Sequence, residues 1–175
     1  MSDIKYFLDH PPRCLTGFQA RQPEKLPDVE FDGHGEEWNP VFVLACSCGA
    51  KDFRLSGFAT TEEDFSLFLS PLEATCTNCN RAIALLDTDV HGYDAELGHG
   101  SCTRRAEGTP GHFSCPNCTS HRGSLFMRFE FPRDLFDDDF DDVQIAKEDL
   151  FTWVTCVSQC SGCGQSNVVS DFECA

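Results

Sequence analysis

The residues with the clearest chemistry are the cysteines. Twelve occur in 175 residues, and eight fall into four close pairs. These are Cys46-Ser47-Cys48, Cys76-Thr77-Asn78-Cys79, Cys115-Pro116-Asn117-Cys118 and Cys160-Ser161-Gly162-Cys163. Two short knuckles can each aim two sulfurs at one centre, so four pairs suffice for two four-thiolate metal sites. Such sites suit tetrahedral zinc, with sulfurs about 2.3 Å from the ion. The chain must turn back after each pair. Gly49 and Gly164 follow the first and fourth pairs, while Pro116-Asn117 and Ser161-Gly162 occupy knuckle interiors, all residue types that suit tight turns. Disulfides are the competing reading and require an oxidising compartment. Residues 1–5 lack the charged and apolar regions of an export signal, so the expected compartment is the cytoplasm. A redox Cys-x-x-Cys fits four pairs in one chain poorly.

A second constellation lies between the pairs. His91, His99 and Cys102, with Asp89 and Asp94 near, could form a mixed-ligand zinc site with an open position for catalysis. The glycine-rich surroundings favour an ordinary linker, and no nucleotide-binding loop or nucleophile–base set is present. The chain is expected not to be an enzyme. Cys156 could replace Cys160 as a ligand, but it alternates with Val154 along a strand and reads as a small buried hydrophobe. Asp134, Asp137, Asp138, Asp139, Asp141 and Asp142 lack the central glycine and the register of a calcium loop. They read as a solvated acidic loop in which Leu135, Phe136 and Phe140 could be exposed for docking.

The elements that must position the sulfurs read as strands. Val41–Ala45 runs into the first knuckle. Phe53, Leu55 and Gly57 alternate after it, followed by Phe65, Leu67 and Leu69, then Leu72 and Ala74. A strand over 81–87 leaves the second knuckle. The order returns around the third and fourth knuckles, with Leu125, Met127, Phe129 and Phe131 alternating, then Phe151, Trp153, Thr155 and Val157. The interval between Cys118 and Cys160 is longer than that between Cys48 and Cys76 by about the length of residues 132–149, which reads as an acidic insertion at a hairpin tip. Residues 1–40 hold five of the nine prolines and read as an extended arm anchored by Ile4, Tyr6, Phe7 and Leu8. The fold class is mainly β. Its expected parts are the arm (1–40), a first unit (41–98), a linker (99–111) and a second unit (112–175).

Each half resembles the zinc-ribbon superfamily. The resemblance rests on Cys46-x-Cys48-Gly49 with Cys76-x-x-Cys79, and on Cys115-Pro116-x-Cys118 with Cys160-x-x-Cys163-Gly164. It covers roughly residues 41–87 and 112–175, and implies two tandem ribbons, each closed by one structural zinc. The Cys-x-Cys spacing of the first pair departs from the family's usual knuckle. Through Asp89-Val90-His91-Gly92-Tyr93-Asp94 and Asp171-Phe172-Glu173-Cys174-Ala175, the chain is also similar to uncharacterised bacterial paired-zinc-ribbon proteins, a likeness that implies no activity.

Charge narrows the partners. Thirteen basic residues against 29 acidic ones give a formal charge of −16. That disfavours nucleic acid and anionic lipid, both of which need a basic surface, and no apolar run is long enough to span a membrane as a helix. The expected role is a zinc-stabilised protein-interaction module with a basic protein partner. An acidic inhibitor, an immunity-type protein or a regulatory adaptor would suit it. The alternatives are a nucleic-acid-binding ribbon protein and a metalloenzyme using His91, His99 and Cys102.

Overall fold

In a computed structural model, residues 3–29, 38–60, 68–100, 108–136 and 144–175 are described. They form one antiparallel, mainly β arrangement. Nine strands are present among them: β1 (Gln19–Arg21), β2 (Val41–Ala45), β3 (Asp52–Ala59), β4 (Phe68–Cys76), β5 (Ala82–Leu86), β6 (Gly111–His112), β7 (Gly123–Glu130), β8 (Trp153–Cys160) and β9 (Ser166–Glu173). Helix α1 (Asp3–Asp9) precedes them, and the single turn α2 (Tyr93–Glu96) follows β5.

Strand β7 organises the sheet. One edge pairs with β8 along its whole length, from Gly123–Cys160 to Glu130–Trp153. Its other edge is shared: Gly123 and Ser124 pair with Phe53 and Asp52 of β3, while Phe126–Arg128 pair with β2. The hairpin β3–β4–β5 extends the sheet in one direction and β8–β9 in the other. The sheet curls until the Ser170 hydroxyl of β9 donates to the Phe68 carbonyl of β4 at 2.8 Å. Pairing therefore crosses between the 41–98 and 112–175 intervals, and a single core fills the curl.

Period-two patterning builds that core. Leu125, Met127 and Phe129 point inward from β7, Leu72, Ala74 and Cys76 from β4, and Val154 and Cys156 from β8. Cys156 is buried as a small core residue, and burial raises its thiol to about 12. On the opposite face of β7, Phe126 joins Val41 and Val157 under Leu26 and Val29. β7 is thus covered on both sides.

Three readings are corrected. The N-terminal arm is not wholly extended. It opens with α1, and after Pro11-Pro12 a 3₁₀ turn (Arg13–Leu15) leads into β1. Ile4, Phe7 and Leu8 have the i, i+3, i+4 spacing of a helix face. Phe7 is fully buried, with its ring stacked on Phe131 at 3.8 Å. In β4 the buried residues are Phe68, Ser70, Leu72, Ala74 and Cys76, while Leu69 is half-buried. The inward face is therefore offset from the Leu67–Leu69 alternation; Phe65 and Leu67 lie outside the described residues. Finally, Leu135 is fully buried and Phe136 packs against Tyr6 and Phe7. They anchor the base of the acidic stretch rather than displaying it.

Candidate metal centres

The eight paired cysteines come together in two groups of four. Within each group all four sulfurs lie within 4.8 Å of one another. In the first, Cys46 faces Cys79 and Cys48 faces Cys76, both at 3.6 Å. In the second, Cys115 faces Cys163 at 3.7 Å and Cys118 faces Cys160 at 3.4 Å. Four sulfurs about 2.3 Å from one ion stand roughly 3.8 Å apart, whereas a disulfide brings two sulfurs to about 2.05 Å. The cysteines among the described residues are free. Each group could therefore hold one metal ion, with four protein ligands and no vacant position.

Local geometry is the same in all four knuckles. The N–H after the second cysteine donates to the carbonyl of the first: Gly49 to Cys46, Asn80 to Cys76, Thr119 to Cys115 and Gly164 to Cys160, at 2.8–3.0 Å. The N–H of each first cysteine then donates to a carbonyl one residue further on, in Ala50, Arg81, Ser120 and Gln165. This return needs a left-handed residue after the second cysteine. Gly49 (φ 86°), Asn80 (φ 57°), Thr119 (φ 59°) and Gly164 (φ 76°) supply it. Glycine does so without a steric penalty and asparagine with a small one. The shorter Cys46-x-Cys48 loop closes with the same pair of bonds as the others.

The sulfurs also receive hydrogen bonds. Backbone N–H groups two residues beyond six of the eight sulfurs reach back, from Cys48 to Cys46, Ala50 to Cys48, Arg81 to Cys79, Ser120 to Cys118, Gly162 to Cys160 and Gln165 to Cys163. Asparagine side chains cross between knuckles. Asn78 donates to Cys48 at 3.6 Å, and Asn117 donates to Cys163. The Ala50 N–H and then Asn78 push Cys48 down to about 6, while Asn117 and then the Gln165 N–H do the same for Cys163. Across each group one thiol is held high. Cys79, despite the Arg81 N–H, is raised to about 11 by hydrogen bonding to Cys46, and Cys118, despite the Ser120 N–H, to about 12 by bonding to Cys160. Cys46 and Cys160 are lowered as well, so each set holds two thiols biased towards the thiolate form that a cation needs. The roles of Asn78 and Asn117 were not read from the sequence. Their signal was the repeated Cys-x-Asn-Cys.

The two groups share a support. Asp52, at the start of β3, accepts from the Thr77 N–H and hydroxyl through its carbonyl, at 3.0 and 3.1 Å. Its carboxylate accepts from Ser161 at 2.7 Å and from Arg122 at 3.1 Å. Thr77 lies in a knuckle of the first group and Ser161 in one of the second. Four thiolates around a dication leave a charge of −2. Exposed Arg54 and Arg81, bonded to Asn80 and Ser47 on the first group's knuckles, offset part of it.

The other candidates lie elsewhere. His91 is half-buried, and its Nδ1 accepts from the Asp87 N–H at 3.0 Å. Burial and then Arg13 hold its pKa below the ordinary 6.5. His99 is exposed and faces Asp94 at 3.5 Å. Cys102 and Asp137–Asp142 lie outside the described residues. The segments 89–94 and 171–175 meet in space. The Asp94 N–H donates to the Cys174 carbonyl at 2.8 Å, and a Cβ on Gly92 would stand 2.6 Å from that of Cys174. Arg13 closes this region, pairing with Glu96, donating to the Val90 carbonyl at 2.6 Å and giving its backbone N–H to Asp149 at 2.7 Å. No family model, curated protein or solved structure matches this chain.

Proposed function

We propose that this protein is a non-enzymatic interaction module whose β scaffold is closed by two structural zinc ions. The reading is carried by the two complete four-cysteine sets, with their knuckle hydrogen bonds and shared Asp52 support. Zinc is the fitting ion because it accepts four thiolates tetrahedrally and leaves no site for substrate when so bound. The interaction surface follows from charge. The chain carries −16, and Val90 is the exposed large hydrophobic residue among those described. Such a surface engages a basic protein partner through charge complementarity, which favours association rate and selectivity. An inhibitor, an immunity-type protein or a regulatory adaptor would use it in this way. With Leu135 and Phe136 turned inward, the carboxylates of Asp134, Asp137, Asp138, Asp139, Asp141 and Asp142 carry the docking.

The test is capture of partners at low and moderate salt by the wild-type protein and by a variant with Asp137, Asp138 and Asp139 changed to Asn. The reading requires a salt-sensitive basic partner that the variant loses. Equal capture by both proteins contradicts the acidic-stretch version.

A further inference from the structure

In a chain with 13 basic residues among 29 acidic ones, cations that converge without an acidic partner stand out. Arg21 at the end of β1, Lys25 in the turn beyond it and Lys51 just before β3 line one cleft of about 240 Å³. Arg21 bonds the neutral Gln19 side chain at 2.9 Å. Among the described residues, Lys25 and Lys51 make no ion pair. Among the described residues Glu24 is the one acid lining the cleft, and their balance there is positive, opposite to that of the whole chain. Val43 and Phe126 give it an apolar floor.

We propose that this cleft binds a phosphate-bearing small molecule. Three cations around one small volume match a charge of two or three concentrated on a single group, the arrangement in which charge-assisted hydrogen bonds are strongest. An extended acidic peptide spreads its carboxylates instead, roughly 7 Å apart on one face. A nucleic-acid chain meets the repulsion of the full −16, which a small anion feels far less. The apolar floor suits an organic group attached to the phosphate. The first cysteine group holds one wall in place. Lys51 follows Ala50, whose carbonyl accepts from the Cys46 N–H at 2.7 Å and whose N–H donates to Cys48. This site is independent of the partner reading above.

The test uses metal-loaded protein at low ionic strength, titrated calorimetrically with inorganic pyrophosphate and with ADP. The proposal requires saturable one-to-one binding of both, with ADP at least as tight, and amide shift changes confined to residues 19–25, 43–51 and 126. The combined variant Arg21→Gln, Lys25→Gln, Lys51→Gln should keep its metal content and far-UV spectrum, yet bind roughly tenfold or more weakly. Lys25→Gln alone, in an exposed turn, should also weaken binding, which keeps the test decisive if the triple variant misfolds. Lys147→Gln, on the far element beside Phe136 and not lining the cleft, should change nothing. Absence of saturable binding, equal binding by the variants, or shifts elsewhere would overturn the proposal. So would binding of an aspartate-rich peptide but not of pyrophosphate.

Discussion

Two regions of this molecule are closed by different physics. At the knuckles, eight sulfurs, a few asparagines and Asp52 hold loops that have little apolar surface; half of the cysteines there are exposed. Around α1 and Arg13, closure comes from stacked aromatic rings and from carboxylates gathered about one guanidinium. Phe7 stacks on Phe131, Tyr6 meets Phe136 edge to face and donates to Glu148 at 2.7 Å, and Arg13 holds Asp149 and Glu96. In the proposed reading the first region depends on a ligand that can be removed. The second is written into the chain. Perturbations should therefore separate them.

The largest effect belongs to metal removal. A structural zinc contributes on the order of 10–16 kcal/mol, comparable to the whole stability of a small domain. Chelation combined with thiol modification should abolish the far-UV β signal, and an unchanged spectrum after full metal release would break the contrast. Next comes Phe7→Ala, which empties a fully buried ring site and should cost about 3–5 kcal/mol in denaturant unfolding while leaving metal content intact. Loss of metal in that variant would show that the two regions are not separable.

Smaller effects sharpen the comparison. Asn78→Ala and Asn117→Ala remove the bonds to Cys48 and Cys163. Each should weaken metal affinity about 10–100-fold in competition with a chelator, with little change in the Phe7 region. The smallest is a pH effect at the Arg13 region. His91 is held below 6.5 by burial and by Arg13, with Asp87 and Asp149 opposing. The unfolded chain thus protonates first as pH falls, and stability is lost as pH drops from about 7 through the folded value. Asp149 and Glu96, raised by burial, act oppositely. Their folded forms take up protons first, and their contribution grows as pH falls towards 4. His91→Gln should remove the loss between pH 7 and 6, read as the difference in unfolding midpoint between the two proteins. An unaltered pH slope would place the effect elsewhere.

The sulfurs were legible in sequence because cysteine type and spacing carry their meaning locally. So were β2, an unbroken apolar run, and β3 and β7, whose alternation is kept; β8 was legible as a strand, although Val154 and Cys156 rather than Trp153 and Thr155 face the main core. The sheet order was not, because β7 divides one edge between β2 and β3, and no local pattern encodes such distant pairing. Helix α1 was obscured by the prolines that follow it, although its 4, 7, 8 spacing was readable. Arg13 was invisible for another reason. Its partners Val90, Glu96 and Asp149 are far along the chain, and a single arginine near a proline pair gives no signal. Asp52 looked like any strand-initiating aspartate, yet it joins the two cysteine groups.

The central claim is two closed four-cysteine metal sites, and native mass spectrometry of the protein tests it most directly. The account predicts two bound zinc ions per chain, released together with the loss of folded charge states on acidification. A chain that carries no metal, with its mass lowered by the hydrogens lost to disulfides between these cysteines, would contradict it.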